Sequence, residues 1–156
     1  MSDPTVPESR AYRHVQCQTE TVVGEESFVV ASNPMSSMEQ TFCSTCQMMF
    51  PIAEFEWVDT GETIADYYAR HSADATDMQR LLCSKKCMVA IALLGALLGA
   101  IAFYLLVKDD DFTTQAFVIF AGLAVGGVIG LQVFLKVFEG PITRKVCGVS
   151  DTRLLK

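Results

Sequence analysis

The sequence predicts an α-helical membrane hairpin of two transmembrane helices, preceded by a small N-terminal β-rich head and a juxtamembrane amphipathic helix. Three observations predict it. Two long runs near the C-terminal half carry no charge. A stripe of apolar residues at threes and fours precedes them. Short β-prone segments, with a histidine and three cysteines at regular spacing, precede the stripe.

The uncharged runs are residues 87–107 and 112–135. Each exceeds the roughly 20 residues needed to cross a hydrocarbon core of ~30 Å. Lipid offers the backbone no hydrogen-bond partners, so both runs are expected to be helical and the bilayer is the expected partner. A chain of 156 residues is too small to wrap two such helices in a soluble core. The linker between them, residues 108–111, is Lys-Asp-Asp-Asp and permits only a tight turn. Basic residues flank the pair on the outside: Arg80, Lys85 and Lys86 before it, and Lys136, Arg144 and Lys145 after it. The positive-inside rule then places both termini in the cytoplasm and the acidic loop outside, in a multi-pass topology.

Glycines set the expected packing. Gly95 and Gly99 share one face of the first run, and Gly122, Gly126 and Gly130 share one face of the second. Such stripes let another backbone approach closely. They serve either the packing of one helix of the hairpin on the other, or a homo-oligomer through Gly122, Gly126 and Gly130. A small channel or membrane-perturbing oligomer is the functional form of the second use. Neither helix interior holds an ionisable residue, and strongly polar side chains such as Gln132 are scarce, which speaks against an ion or proton path.

The head is acidic. Residues 1–79 contain Arg10, Arg13 and Arg70 as their only bases against thirteen acids, within a chain of net charge −6 and pI near 4.8. Such a surface repels phosphate, so no nucleic-acid partner is expected. It also repels anionic headgroups, so the head is expected to stand off the bilayer. The first thirty residues show no apolar stretch with a small-residue cleavage site, so export by a cleaved signal is not expected. Six cysteines in that setting read as reduced thiols or metal ligands rather than disulfides.

Residues 1–11, with Pro4 and Pro7, read as a flexible tail. Residues 12–58 read as the head proper. Ser27–Ala31 is β-prone, and Ile52–Val58 alternates Phe55 and Trp57 with Glu54 and Glu56 as a half-buried strand would. His14 and Cys17 are separated by two residues, as are Cys43 and Cys46. Two residues between ligands allow a tight turn to aim both at one metal, and two such turns complete the tetrahedral shell that zinc prefers. Over residues 12–58 this arrangement resembles a zinc ribbon, with His14 where a cysteine is more usual. The resemblance implies a small structural zinc module with His14, Cys17, Cys43 and Cys46 as ligands. A competing ligand set joins Cys43 and Cys46 to Cys83 and Cys87, which share a helix face at the membrane entry. A third reading is no metal at all.

Residues 59–86 read as one amphipathic helix. Asp59 and Thr60 are candidate caps, and Ile64, Tyr67, Tyr68, His71, Ala75, Met78 and Leu82 form the stripe. His71 on that stripe reads as a packing residue rather than a base. Residues 136–156 read as a basic cytoplasmic tail, in which Cys147 is an ordinary thiol or, alternatively, a lipidation site.

No G-x-S-x-G, Walker A or H-E-x-x-H pattern occurs. A zinc domain ahead of two membrane helices loosely resembles membrane ubiquitin ligases of the RING-CH type. That fold uses two metal sites and eight ligands, whereas seven Cys or His residues occur here up to and including Cys87, without that family's spacings. The expected function is therefore non-enzymatic: a membrane-held, metal-stapled module that binds a cytoplasmic protein partner. The expected contact surface is acidic, made of Glu54, Glu56, Asp59 and Glu62 around Trp57.

Overall fold

The computed structural model describes residues 6–109 and 111–156. Part of the expected N-terminal tail and Asp110 of the expected loop lie outside the described residues. The chain forms two compact units, one of the residues up to Thr76 together with Ile142–Lys156, the other Asp77–Pro141.

The first unit is the head. Strands β1 (Ser9–His14), β2 (Glu20–Gly24) and β5 (Phe55–Trp57) form an antiparallel sheet in the order β2-β1-β5. Strands β3 (Gln40–Cys43) and β4 (Met48–Pro51) form a separate antiparallel pair. The start of β1 at Ser9 corrects the expected tail: Ser9, Arg10 and Ala11 pair with Gly24, Val23 and Val22. Registers Tyr12↔Trp57 and His14↔Phe55 put all four side chains on one face of the sheet. That face is the core, where Tyr12, Phe55, Trp57 and Tyr67 meet edge-to-face at 5.3–6.3 Å between ring centroids.

Three expectations for the head change. Glu25–Ala31 is a helix, α1, not a strand. Phe28 and Ala31, three apart, are buried while Val29 and Val30 are exposed, so burial follows the helical period and overrides the β-propensity of the Phe-Val-Val run. Ile52–Glu54 is a 3-10 turn, so β5 is shorter than the expected strand. The single helix over 59–86 is two short ones, α2 (Ile64–His71) and α3 (Asp77–Leu82). Thr63, rather than Asp59 or Thr60, caps α2 by accepting from the Asp66 N–H at 3.0 Å while its hydroxyl donates to the Asp66 carboxylate. Ser72 ends α2, and the break falls at the boundary between the two units. Ile64, Tyr67 and Tyr68 of the expected stripe are buried on the head, and His71 packs against Tyr67 at 4.6 Å.

The expected basic tail is also corrected, because most of it is structure. Helix α6 (Gly140–Cys147) carries Thr143, whose hydroxyl donates to Asn33. Leu155 is buried with Tyr12, Trp57 and Tyr67, and Arg70 donates to the Lys156 carbonyl at 2.9 Å. The Cys147 thiol donates to the His71 carbonyl at 3.7 Å and is half-buried, and that burial pushes its pKa up.

The second unit holds two helices long and apolar enough to cross a membrane: α4 (Lys85–Val107) and α5 (Phe112–Val133). Ser84 caps α4 by accepting from the Cys87 N–H, and Asp111 caps α5 by accepting from the Thr113 and Thr114 N–H groups. Gln115, a second strongly polar side chain in the run, donates to the Lys108 carbonyl across the turn. The helices touch along their glycines. A Cβ on Gly95 would lie 2.4 Å from the Gly126 carbonyl oxygen, and one on Gly99 would lie 2.2 Å from that of Gly122. The stripe is thus in contact within one chain. After α5 the backbone passes through a π-helical segment, Phe134–Glu139.

Candidate metal centre

Each ligand pair occupies the turn of one hairpin. His14 ends β1 and Cys17 lies in the turn to β2, while Cys43 ends β3 and Cys46 lies in the turn to β4. The two turns repeat one construction. In the first, the Gln18 N–H donates to the His14 carbonyl at 2.8 Å; in the second, the Gln47 N–H donates to the Cys43 carbonyl at 2.8 Å. Gln18 and Gln47 both adopt positive φ, at 58° and 52°. That left-handed residue turns the chain back so that both side chains of a pair face the same way. A bond of 2.9 Å between the hydroxyls of Thr19 and Thr45 ties the two turns together.

His14, Cys17, Cys43 and Cys46 therefore meet, with one ligand atom from each inside a 4.8 Å group. The Cys17 sulfur lies 3.2 Å from Nδ1 of His14 and 3.5 Å from the Cys43 sulfur, and the Cys46 sulfur lies 3.7 Å from Nδ1. A tetrahedral zinc with bonds of about 2.0–2.3 Å spaces its donors about 3.5–3.8 Å apart, so the group is of the right size. His14 and Cys43 are fully buried, and Cys17 and Cys46 partly so.

The histidine ring packs against two aromatic rings, Phe50 at 4.5 Å and Phe55 at 4.9 Å between centroids. Its Nδ1 faces the thiols. Its Nε2 is buried without a hydrogen bond among the described residues and points toward Oε2 of Glu54 at 3.6 Å. A carboxylate behind the far nitrogen is the usual arrangement for a ligating histidine, since it fixes the proton on Nε2 and leaves Nδ1 free for the metal. Glu54 is itself steadied by Gln16, which donates to it at 2.6 Å.

The thiols are unequal. Hydrogen bonding with Thr19 draws the Cys17 pKa down to about 6, whereas hydrogen bonding with the Cys17 and Cys43 thiols pushes Cys46 up to about 12. Cys17 therefore gives up its proton more readily than Cys46, whose thiolate would need a cation beside it.

All four predicted ligands are brought together. Among the described residues, the group that Cys43 and Cys46 join is that of His14 and Cys17. Sequence reasoning missed three contributors. Gln18 and Gln47 carried a signal, since each follows a ligand-x-x-Cys pair. Glu54 carried none, being reached through the fold at the far end of the 3-10 turn.

The expected acidic contact surface is reorganised. Trp57 is fully buried, with the Arg10 guanidinium 4.1 Å above its ring. Arg10 pairs with Asp59, Arg13 with Glu56, and Arg70 with Glu62. Together with Glu54 beside His14, all four acids face partners within the head.

The fold and the site define a class, a small β-sheet module with a His/Cys cluster joined to two long apolar helices. No protein-family model, curated protein or solved structure matches the chain.

Proposed function

We propose that the chain is a non-enzymatic integral membrane protein, whose helical hairpin holds a structural-zinc module at the cytoplasmic membrane surface to bind a protein partner. The observation that carries this reading is the four-donor cluster with Glu54 behind His14. Four protein donors fill a tetrahedral shell and leave no position for a reacting water, which is the pattern of a structural rather than a catalytic zinc. The two ligand-bearing hairpins also fit the resemblance to a zinc ribbon.

Insertion of the hairpin is supported by its surface. Leu93, Leu97, Leu105 and Leu106 on α4, and Phe117 and Phe120 on α5, are largely exposed. An apolar surface of that extent calls for lipid. A common side for both termini is supported by the fold of the head, which draws on the chain before α4 and the chain after α5 alike. Two spans return the backbone to the side it left, in agreement with the flanking bases.

One preparation tests the reading. The full chain is expected to remain with membranes after an alkaline carbonate wash and to carry about one zinc per chain by elemental analysis. Cys43→Ser should lose the zinc and unfold the head while staying in the membrane pellet. Folded, metal-free wild-type protein would overturn the metal reading, and release by carbonate would overturn the hairpin.

A further inference from the structure

The ion pairs of the head leave several of its acids without a basic partner among the described residues. Glu54, Glu56, Asp59 and Glu62 face His14, Arg13, Arg10 and Arg70. Glu25 and Glu26, in the first turn of α1, have no ion pair among the described residues, and neither does Glu39. Glu26 opens onto a groove of about 450 Å³ between α1, the β1–β2 hairpin and β3. Tyr12, Val23, Val30, Ala31 and Met38 supply its apolar lining. Tyr12 and Ala31 are buried, while Val30 is 53% exposed although it borders an apolar cavity. The Tyr12 hydroxyl is already paired with Thr41 at 3.0 Å, so the floor asks for apolar contact rather than a hydrogen bond. Among the described residues Glu26 is the only charged side chain in the lining, and none of the other lining residues is a base.

An apolar trough with an unopposed carboxylate at its lip is complementary to one kind of occupant. We infer that this groove receives a peptide segment of a partner protein, which sets an apolar side chain among Val23, Val30 and Met38 and a lysine or arginine against Glu26. Burial of the apolar anchor supplies the affinity, and the charge pair at the rim supplies approach and register. The inference rests on the partner-binding reading of the head and moves the docking surface from the Trp57 face to the α1 groove.

The probe is a fluorescent peptide of alternating lysine and leucine, offered to the full chain in nanodiscs of zwitterionic lipid, with empty nanodiscs as the blank. Saturable binding that weakens with added salt is expected. Peptides alternating glutamate with leucine, or lysine with serine, should bind about tenfold more weakly or not at all. Glu26→Lys and Val30→Asp should each lower affinity for the first peptide by about tenfold. Equal binding of the lysine–leucine and glutamate–leucine peptides, or unchanged affinity in both variants, would overturn the inference. So would dissociation of a wild-type oligomer by Glu26→Lys, since the occupant would then be a second copy of the chain. Zinc is measured on the same samples. If Val30→Asp loses zinc its fold is suspect, and Glu26→Lys, at an exposed position, decides the matter. Zinc-loaded wild type that ignores the peptide removes the groove and leaves the metal reading. Zinc-free wild type that binds it does the reverse.

Discussion

His14 illustrates what a single residue contributes. Its ring joins two hairpins at Nδ1, packs against Phe50 and Phe55, and turns Nε2 toward Glu54. Removing that carboxylate while keeping its shape isolates the third contribution. Glu54→Gln should lower zinc affinity by about tenfold, read by competition with a chromophoric chelator, without changing the stoichiometry. Unchanged affinity would show that the 3.6 Å separation is idle. The ligands themselves were legible, because two-residue spacing is a local property of the chain. Glu54 was misread as part of an exposed acidic surface, since its nearness to His14 is made by the turn at Ile52–Glu54 and not by sequence. The same holds for Glu56, Asp59 and Glu62, whose arginine partners come from β1 and α2.

At the level of elements, the glycines of α4 and α5 divide into two kinds. Gly126 is in the contact, where a new Cβ would stand 2.2 Å from the Gly95 carbonyl oxygen. Gly127 is beside it, where a Cβ would reach the Ala96 Cβ at an ordinary 3.7 Å. Gly126→Ala should therefore destabilise the helix pair by about 1–3 kcal/mol, through backbone displacement that no rotamer can relieve. Gly127→Ala should be neutral or slightly stabilising, through helix propensity. Reversible unfolding of the two variants in mixed micelles, followed by helical circular dichroism, distinguishes them. Equal stabilities would refute the close contact. Helix existence in this region was plain from apolar length. The type of α1 was not, because Ser27–Ala31 has the composition of a strand and takes the burial pattern of a helix.

For the molecule as a whole, the decisive feature is that the head is closed by both flanks of the hairpin. Leu155 packs with Trp57 and Tyr67, and the Thr152 hydroxyl pairs with Ser32 at 3.0 Å. Leu155→Ala should cost the head about 2–5 kcal/mol, the range for deleting a buried leucine, and should lower its thermal midpoint in the zinc-loaded protein. A midpoint equal to wild type would mean that the residues after α6 are an accessory to the fold. The closure also bears on topology, since fusing a reporter to either terminus should report the same side of the membrane. The stripe of 59–86 gave no hint of this division, because Tyr67 and Tyr68 belong to the head and Met78, past the break, is exposed.

Sequence by itself determined what depends on near neighbours and on bulk transfer to an apolar phase. It fixed two helices of membrane-crossing length, the acidic turn between them, the glycine faces, and the four donors in two x2-spaced pairs. Tertiary structure alone decided which donors meet, which helix the glycines meet, and which charges are spent inside the head. It also decided that the C-terminal segment is part of the core. Those outcomes rest on contacts between residues far apart in the chain, which spacing and composition do not encode. The hairpin therefore began as two uncharged runs and ends with the chain on either side of it folded into the one unit that holds the His/Cys cluster.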